Sequence, residues 1–356
     1  MPAEPADPSQ TDQPIEPIDA LRRIAFLMER TRGQTRRIEA FRKAAATVVR
    51  TGRDELARRA EAGTLTELPA IGKSTATVIT QALAGRRPDY LLDLERSGAA
   101  GPLVDGGERL AARLRGDLHS HSNWSDGGSP IEEMVATAME LGREYLALTD
   151  HSRGLRVANG LSEERLVRQL GVVDAINGHL QGQGFTLLRG IEVDILDDGS
   201  LDQEPELLER LDVVVASVHS KLRSPADVMT ARMLGAVRNP RTNVLGHCTG
   251  RLVEGGRGTR PPSSFDARAV FEACAEHDVA VEINSRPERC DPPDELITLA
   301  LETGCLFSID TDSHAPGQLD FLAYGAARAQ RLGVPAERIV TTWERDRLLE
   351  WAAQRP

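Results

Sequence analysis

The sequence predicts an α/β barrel of repeated strand–helix units preceded by a small all-helical module, on three observations. Apolar residues repeat at helical spacing from Ile18 to about Leu94, with no strand-like alternation between them. From Arg115 onward, short apolar runs alternate with capped amphipathic helices. Those runs end at His119, His151, Glu192, His219, His247, Asn284 and Asp312, and a closed parallel barrel is the solution most consistent with that many consecutive βα units.

At 356 residues the chain suits a barrel-sized domain and a smaller partner. The expected division is a disordered tail over 1–17, a helix-hairpin-helix over 18–95, a Gly-rich linker over 96–114 and the barrel over 115–356. The opening MPAEPADPSQTDQPIEP has neither a basic stretch nor an apolar core, so no signal peptide is expected. No apolar run approaches the roughly 18 residues of a membrane span. A cytoplasmic protein without a membrane partner is the resulting expectation. Cys248, Cys274, Cys290 and Cys305 show no CxxC spacing and read as reduced, structural thiols.

A net charge of −11 argues against a chain that coats nucleic acid over its whole surface. The charge is uneven, however: between Leu21 and Ala60, 12 basic residues face 4 acidic ones, an excess of +8. Nucleic-acid contacts, if made, are expected there, with Arg36 and Arg42 as candidates. A solvated, arginine-rich helical face explains the same charge, since the chain uses only three lysines.

Within the helical module, Leu21, Ile24, Ala25 and Met28 form one apolar stripe, and Ile38, Phe41, Ala45 and Val48 form another. The string LTELPAIGKSTATVI, beginning at Leu65, reads as a short helix, a tight turn through Gly72 and a second helix. Such a turn leaves backbone N–H groups open at a helix N-terminus, where a phosphate binds without its base being read. Gly72, Lys73 and Ser74 are the candidate contacts. Among the barrel helices, the one opening at Ser129-Pro130 is typical. Ser129 should cap it and Glu132 complete a capping box, with Ile131, Met134, Val135, Ala138 and Leu141 as its apolar stripe and Gly142 as its stop.

The chemistry is concentrated at the strand ends. Of eight histidines, six fall at or just beyond a predicted strand C-terminus, the rim on which barrels build active sites. In DLHSH the imidazoles of His119 and His121 lie two residues apart and so share one side of an extended strand. One HxH pair, or one histidine ending a strand, says little. Six strand ends each offering an imidazole or carboxylate in a His-poor chain point to a shared metal site. His179 and His277 lie inside predicted helices and are read as structural.

Residues 115–352 resemble the polymerase and histidinol phosphatase (PHP) family, and more narrowly the PHP domain attached to bacterial family X DNA polymerases. The strings GDLHSHSNWSDG, YLALTDHSRGLRVANGL, GIEVDILDDG, LDVVVASVHS, GHCTGRL, VEINSRPERCD and IDTDSH carry the likeness. It implies a distorted seven-stranded (βα) barrel holding three divalent ions, Zn²⁺, Mn²⁺ or Fe²⁺. The implied ligands are His119, His121, Asp126, His151, Glu192, His219, His247, Asp312 and His314. Glu192 would bridge two ions, with His119 and His121 on one side and His219 and His247 on the other. Asp126, His151 and His314 would hold the third, with Asp312 close by.

Three divalent ions against three ligand carboxylates leave a cup of about +3, which favours a phosphoester and metal-activated water as its nucleophile. Glu192, Asp312 and Asp150 are the candidate catalytic carboxylates. Arg153, Arg251, Arg286 and Asn284 are the candidate phosphate contacts.

Residues 18–95 resemble the helix-hairpin-helix domain of family X DNA polymerases through RRIEAFRKAA and LTELPAIGKSTATVI. Two departures matter. The first glycine of the usual turn is Ala70, and the Schiff-base lysine of lyase-active relatives falls on Val78, which disfavours a lyase. Only about twenty residues separate Leu94 from Arg115, too few for a polymerase palm. The expected activity is a metal-dependent phosphoesterase acting on DNA ends or single strands, as a 3′-5′ exonuclease or 3′-phosphatase. A small-molecule phosphatase of the histidinol-phosphatase type and a non-catalytic repair scaffold are the alternatives.

Overall fold

A computed structural model describes residues 13–256 and 258–353. The expected disordered tail lies outside the described residues as far as residue 12. The chain forms two compact units, Met1–Pro102 and Leu103–Pro356.

The first unit is helical: α1 (Pro17–Arg30), α2 (Thr35–Thr51), α3 (Arg53–Ala62), α4 (Lys73–Leu83) and α5 (Asp89–Arg96). Pro17 opens α1 at a position where its missing N–H costs nothing. The stripe Leu21, Ile24, Ala25 and Met28 is buried against Phe41, Ala45 and Val48 of α2, and Val78 and Ile79 of α4 join the same core. Each large apolar side chain so buried contributes about 1.5–3 kcal/mol. The hairpin turn differs from the expected one. Its left-handed residue is Ala70, at φ 61°, whereas Gly72 is extended at φ −97°, ψ 179° and caps α4. The turn needs one left-handed position ahead of the helix, and this chain supplies it without a glycine.

In the second unit, α6 (Glu108–Ala111) precedes seven strands: β1 (Gly116–Ser120), β2 (Tyr145–Leu148), β3 (Thr186–Asp194), β4 (Val213–Ser217), β5 (Val244–Leu245), β6 (Ala280–Asn284) and β7 (Phe307–Asp310). Each pairs in parallel with the next. The ring closes where the backbone N–H of His121 donates to Ser313 at 2.8 Å. Around it lie α7 (Ile131–Glu140), α8 (Glu163–His179), α9 (Pro205–Leu208), α10 (Ala226–Val237), α11 (Ala267–Glu276), α12 (Asp294–Glu302), α13 (Leu322–Arg331) and α14 (Arg345–Ala353).

Side chains alternate across the barrel wall. Ile191, Val193, Val214, Ala216, Val281 and Ile283 face the helices. Leu188, Val213, Val215, Val244 and Ala280 pack with Tyr145, Val340, Trp343 and Leu348 and seal the floor. The Tyr145 hydroxyl donates to the Trp343 carbonyl at 3.0 Å across that floor. The interior positions toward the opposite rim are polar: Glu192, Ser217, Glu282, Asn284 and Asp310, all buried.

Helix α7 buries Ile131, Met134, Val135 and Ala138 of the predicted stripe, leaves Leu141 half-buried just past its end, and starts differently. Pro130 takes the N-cap position with no side-chain cap, and the Ser129 hydroxyl is buried without a hydrogen-bond partner. Proline forces the residue before it away from helical geometry, so Ser129 sits one residue too early to cap. Among the described residues no helix is long and apolar enough to cross a membrane, and no cysteine is disulfide-bonded.

Candidate metal centre

The polar rim is built by residues that end strands or immediately follow them. The pairing register of β1 slips between Asp117 and Ser120, and a slip of this kind re-aims a side chain. His119 and His121 both turn inward, with ring centroids 5.2 Å apart. Two glycines make room for their neighbours. A Cβ on Gly246 would lie 2.3 Å from the Ser217 hydroxyl, and one on Gly127, after Asp126, would lie 2.7 Å from the Ser122 carbonyl.

Glu192, projecting from β3, is the centre of the cup. Its Oε1 lies 2.9 Å from His247 Nε2 and 3.2 Å from His219 Nε2. Its Oε2 lies 3.3 Å from His119 Nε2, 3.5 Å from His121 Nε2 and 2.8 Å from His151 Nδ1. Toward the rim, Asp126 Oδ1 stands 3.5 Å from His151 Nε2 and 3.4 Å from His314 Nε2. Asp312 Oδ1 is 3.5 Å from His121 Nε2. All nine residues expected to share one site are therefore brought into one cup. They form four overlapping groups whose donor atoms lie within 4.8 Å of one another.

The cup is short of hydrogen bonds. Both oxygens of Glu192, both ring nitrogens of His121 and of His247, Nε2 of His119 and Nδ1 of His151 are buried without a hydrogen-bond partner among the described residues. Such groups are costly to bury unless something else satisfies them. Imidazole nitrogens and carboxylate oxygens are the donors that divalent first-row ions accept, so this set could hold metal.

At the carboxylates and at His121 the charges agree with that chemistry, whereas at His219 they favour the protonated ring, whose proton an ion must displace. Burial raises the Glu192 carboxyl, but His119, His219 and His151 around it hold it well below the usual range. Burial likewise raises Asp312, and Arg289 and Arg286 pull it well below. Burial, with His314 and His151 nearby, pushes His121 well down, which keeps its lone pair available. Burial lowers His219, yet Glu192 and Asp194 bring it up to about 9.

The other candidates are placed differently. Asp150 does not reach the cup. Its carboxylate accepts from the Ser122 N–H at 2.8 Å, the Ser122 and Ser125 hydroxyls and Gln169 Nε2 at 2.6 Å, and so fastens the His121–Asp126 loop to α8. Arg153 pairs with Glu163 and with Glu204. Arg251 donates to the carbonyls of Arg289 and Cys290, joining two rim loops. Both arginines are drawn off by nearer acceptors. Asn284 is fully engaged, donating at 3.2 Å to both Glu282 and Asp312 and accepting from the Arg286 N–H. Arg286 also stays at the cup, 3.2 Å from the Asp312 carbonyl and 3.1 Å from His314 Nδ1.

Three residues at the cup were not among the sequence candidates. Glu282 meets His119 Nδ1 at 2.6 Å, Asp194 meets His219 Nδ1, and Arg289 Nε donates to Asp312 Oδ2 at 2.9 Å. The first two could have been found by period-two spacing, since Asp194 follows Glu192 and Glu282 precedes Asn284 by one interior step. In the helical unit, Gly72, Lys73, Ser74 and Arg36 are exposed. Arg42 is instead held by Glu29, at 2.8 and 2.6 Å.

Barrel, donor cup and unmet lone pairs together define a candidate metal centre, and the similarities that follow make its class that of the metal-dependent phosphoesterases. Residues 117–286 match the PHP domain and residues 15–88 a helix-hairpin-helix domain. The chain thus holds a segment that matches the PHP domain and, ahead of it, one that matches a helix-hairpin-helix domain. It is 38% identical over 219 residues to the DNA polymerase/3′-5′ exonuclease PolX of Bacillus subtilis (strain 168), covering 62% of this chain and 37% of that one. It is 26% identical over 247 residues to a probable phosphatase of Aliivibrio fischeri (strain ATCC 700601 / ES114), covering 64% of this chain and 88% of that one. A crystal structure of histidinol phosphate phosphatase from Lactococcus lactis, complexed with zinc, L-histidinol and phosphate, is 20% identical with a TM-score of 0.48, over 62% of this chain and 94% of that one.

Proposed function

We propose that the chain hydrolyses phosphoesters at the 3′ ends of DNA, as a 3′-5′ exonuclease or 3′-phosphatase, with three divalent ions in the cup. The observation that carries the metal site is the buried Glu192 carboxylate, with His219 and His247 against one oxygen and His119 and His121 against the other. His119, His121 and Glu192 would hold one ion, Glu192, His219 and His247 a second, and Asp126, His151 and His314 a third, with Asp312 beside the first. Zn²⁺, Mn²⁺ and Fe²⁺ all suit this mixed donor set. Bound there, the ions would place positive charge on phosphoryl oxygens and acidify water toward neutrality.

The chain's own residues prepare that chemistry. Arg289 and Asn284 fix Asp312 from two sides, and Arg286 braces the Asp312–His314 turn. Imidazoles and arginines around three carboxylates keep those carboxylates deprotonated where a cation needs them. The helix-hairpin-helix and the named activity of the Bacillus relative support DNA as substrate. The exposed N-terminus of α4, with Gly72, Lys73 and Ser74, would receive the backbone phosphates.

The second reading is a small-molecule phosphatase, favoured by the probable phosphatase that the barrel matches over most of its length. End-labelled DNA and histidinol phosphate, offered to the full chain after elemental analysis, separate the two. Labelled 3′ ends shortened or dephosphorylated in a chelator-sensitive reaction support the proposal. Turnover of histidinol phosphate alone sinks it, and a metal-loaded protein inert toward both would leave a binding scaffold.

A further inference from the structure

We infer that Glu282 is a positioning residue that dictates which ring nitrogen of His119 is offered to a metal. The inference rests on the metal reading of the cup. Glu282 lies on β6, faces the barrel interior and is fully buried. Its Oε1 is 2.6 Å from Nδ1 of His119. Its Oε2 accepts from the backbone N–H of His247 and, at 3.2 Å, from Nδ2 of Asn284.

A carboxylate only accepts, so all three neighbours must donate. His119 therefore carries a proton on Nδ1. Its Nε2, 3.3 Å from Glu192 Oε2 and buried without a hydrogen-bond partner among the described residues, is left to offer its lone pair to the cup. The other two donors cannot exchange roles. A backbone N–H has no tautomer. Nδ2 of Asn284 also donates to Asp312 at 3.2 Å, while its Oδ1 accepts from the Arg286 N–H. One carboxylate thus ties His119 on β1 to His247 beyond β5, two residues on opposite sides of Glu192.

The consequence is specific to a carboxylate. A glutamine of the same shape has one accepting and one donating end. It satisfies both fixed donors only by turning its oxygen to His247 and Asn284, which aims its NH₂ at Nδ1 of His119. Nδ1 must then accept, the proton moves to Nε2, and the nitrogen facing Glu192 has no lone pair to give.

The test uses the full chain, ¹⁵N-histidine labelling and zinc. In the zinc-loaded wild type, His119 should show a protonated Nδ1 and a metal-bound Nε2, and Glu282→Gln should lose that signature. Zinc affinity should fall about 10- to 100-fold in Glu282→Gln. The double variant Glu282→Gln/His119→Ala should bind no more weakly than His119→Ala alone, because both changes remove the same ligand. Losses that add, or zinc on Nδ1 of His119, overturn the inference and leave Glu282 a brace of the barrel. Should the glutamine variant not fold, the wild-type spectrum decides alone. A wild type that takes up zinc with a glutamine variant that binds equally well overturns this inference only. A wild type that takes up no divalent ion overturns it together with the metal reading.

Discussion

Nε of Arg289 lies 2.9 Å from Oδ2 of Asp312, and it is this arginine, rather than Arg153, that brings fixed positive charge to the cup. Asp312 is held in the left-handed region at φ 50°, a conformation that persists only where neighbours over-determine it. Arg289→Ala removes one of those neighbours and a cation beside the phosphoester. Its turnover is expected to fall about 100-fold, the scale of losing one preorganised charged donor. Arg153→Ala, whose side chain is paired with Glu163 and Glu204, should retain wild-type rates. Steady-state kinetics on one phosphoester decides, and an Arg289→Ala enzyme at full rate would exclude this role.

Metal removal should cost stability as well as activity. Without ions the cup buries both Glu192 oxygens and several ring nitrogens unsatisfied, so binding favours the folded state. At an ion concentration a hundred times Kd the gain is about 2.7 kcal/mol. A chelator should lower the Tm of the barrel transition, and adding back Mn²⁺ or Zn²⁺ should restore it. Glu192→Ala should make Tm insensitive to both additions. Calorimetry that finds the wild type equally stable with and without metal counts against the cup as an ion site.

The fold and most of the residues that meet in the cup were legible because they are written locally, as an apolar run and then an imidazole or carboxylate at its end, repeated in order, while the full set of nine as ligands comes from the resemblance to the PHP family. Period-two alternation places Glu192 inside the barrel as soon as β3 is recognised. What was not legible depends on pairings distant in sequence. The sequence marks Arg153 as beside a ligand but does not say that Glu204 lies within reach of it. Asn284 and Asp150 adjoin expected ligands in the sequence, yet their hydrogen-bonding capacity is spent on neighbours brought in by other strands and by α8. Arg42 reads as one more cation on a basic helix until α1 folds against α2 and presents Glu29.

That last pairing separates two kinds of basic residue in the helical unit. Arg42 and Glu29 are nearly buried, at 10% and 2% side-chain exposure, and truncating the arginine removes both of its hydrogen bonds to that carboxylate. Arg42→Ala should destabilise the unit by about 1.5–3 kcal/mol. Lys73→Ala, at the exposed start of α4, should leave Tm unchanged. It should instead weaken DNA binding and reduce the dependence of log K on log salt by about one unit. Anisotropy titrations across salt concentrations, paired with melting curves, distinguish the two. If Lys73→Ala leaves the salt slope unaltered, the α4 terminus is not the phosphate contact.

The hairpin turn gives a prediction opposite to the one its glycine suggests. Ala70 sits at φ 61° and is exposed, so a Cβ there pays a conformational penalty of about 1–2 kcal/mol and packs on nothing in return. Glycine relieves the penalty but adds about 0.4–1 kcal/mol of freedom to the unfolded chain. Ala70→Gly should therefore stabilise the helical unit by roughly 0.5 kcal/mol, or about 2–4 °C in its Tm. Gly72 needs no such freedom: its φ is −97°, and a Cβ there would meet nothing within 4 Å. Gly72→Ala should fold with Tm close to wild type, since the open space that receives a new methyl within the fold is also the space through which a phosphate approaches the N–H groups of α4. Its DNA affinity should drop while its melting curve stays in place. A Gly72→Ala protein that binds DNA normally, or an Ala70→Gly protein that melts earlier, would mean that the turn meets its ligand and bears its strain elsewhere.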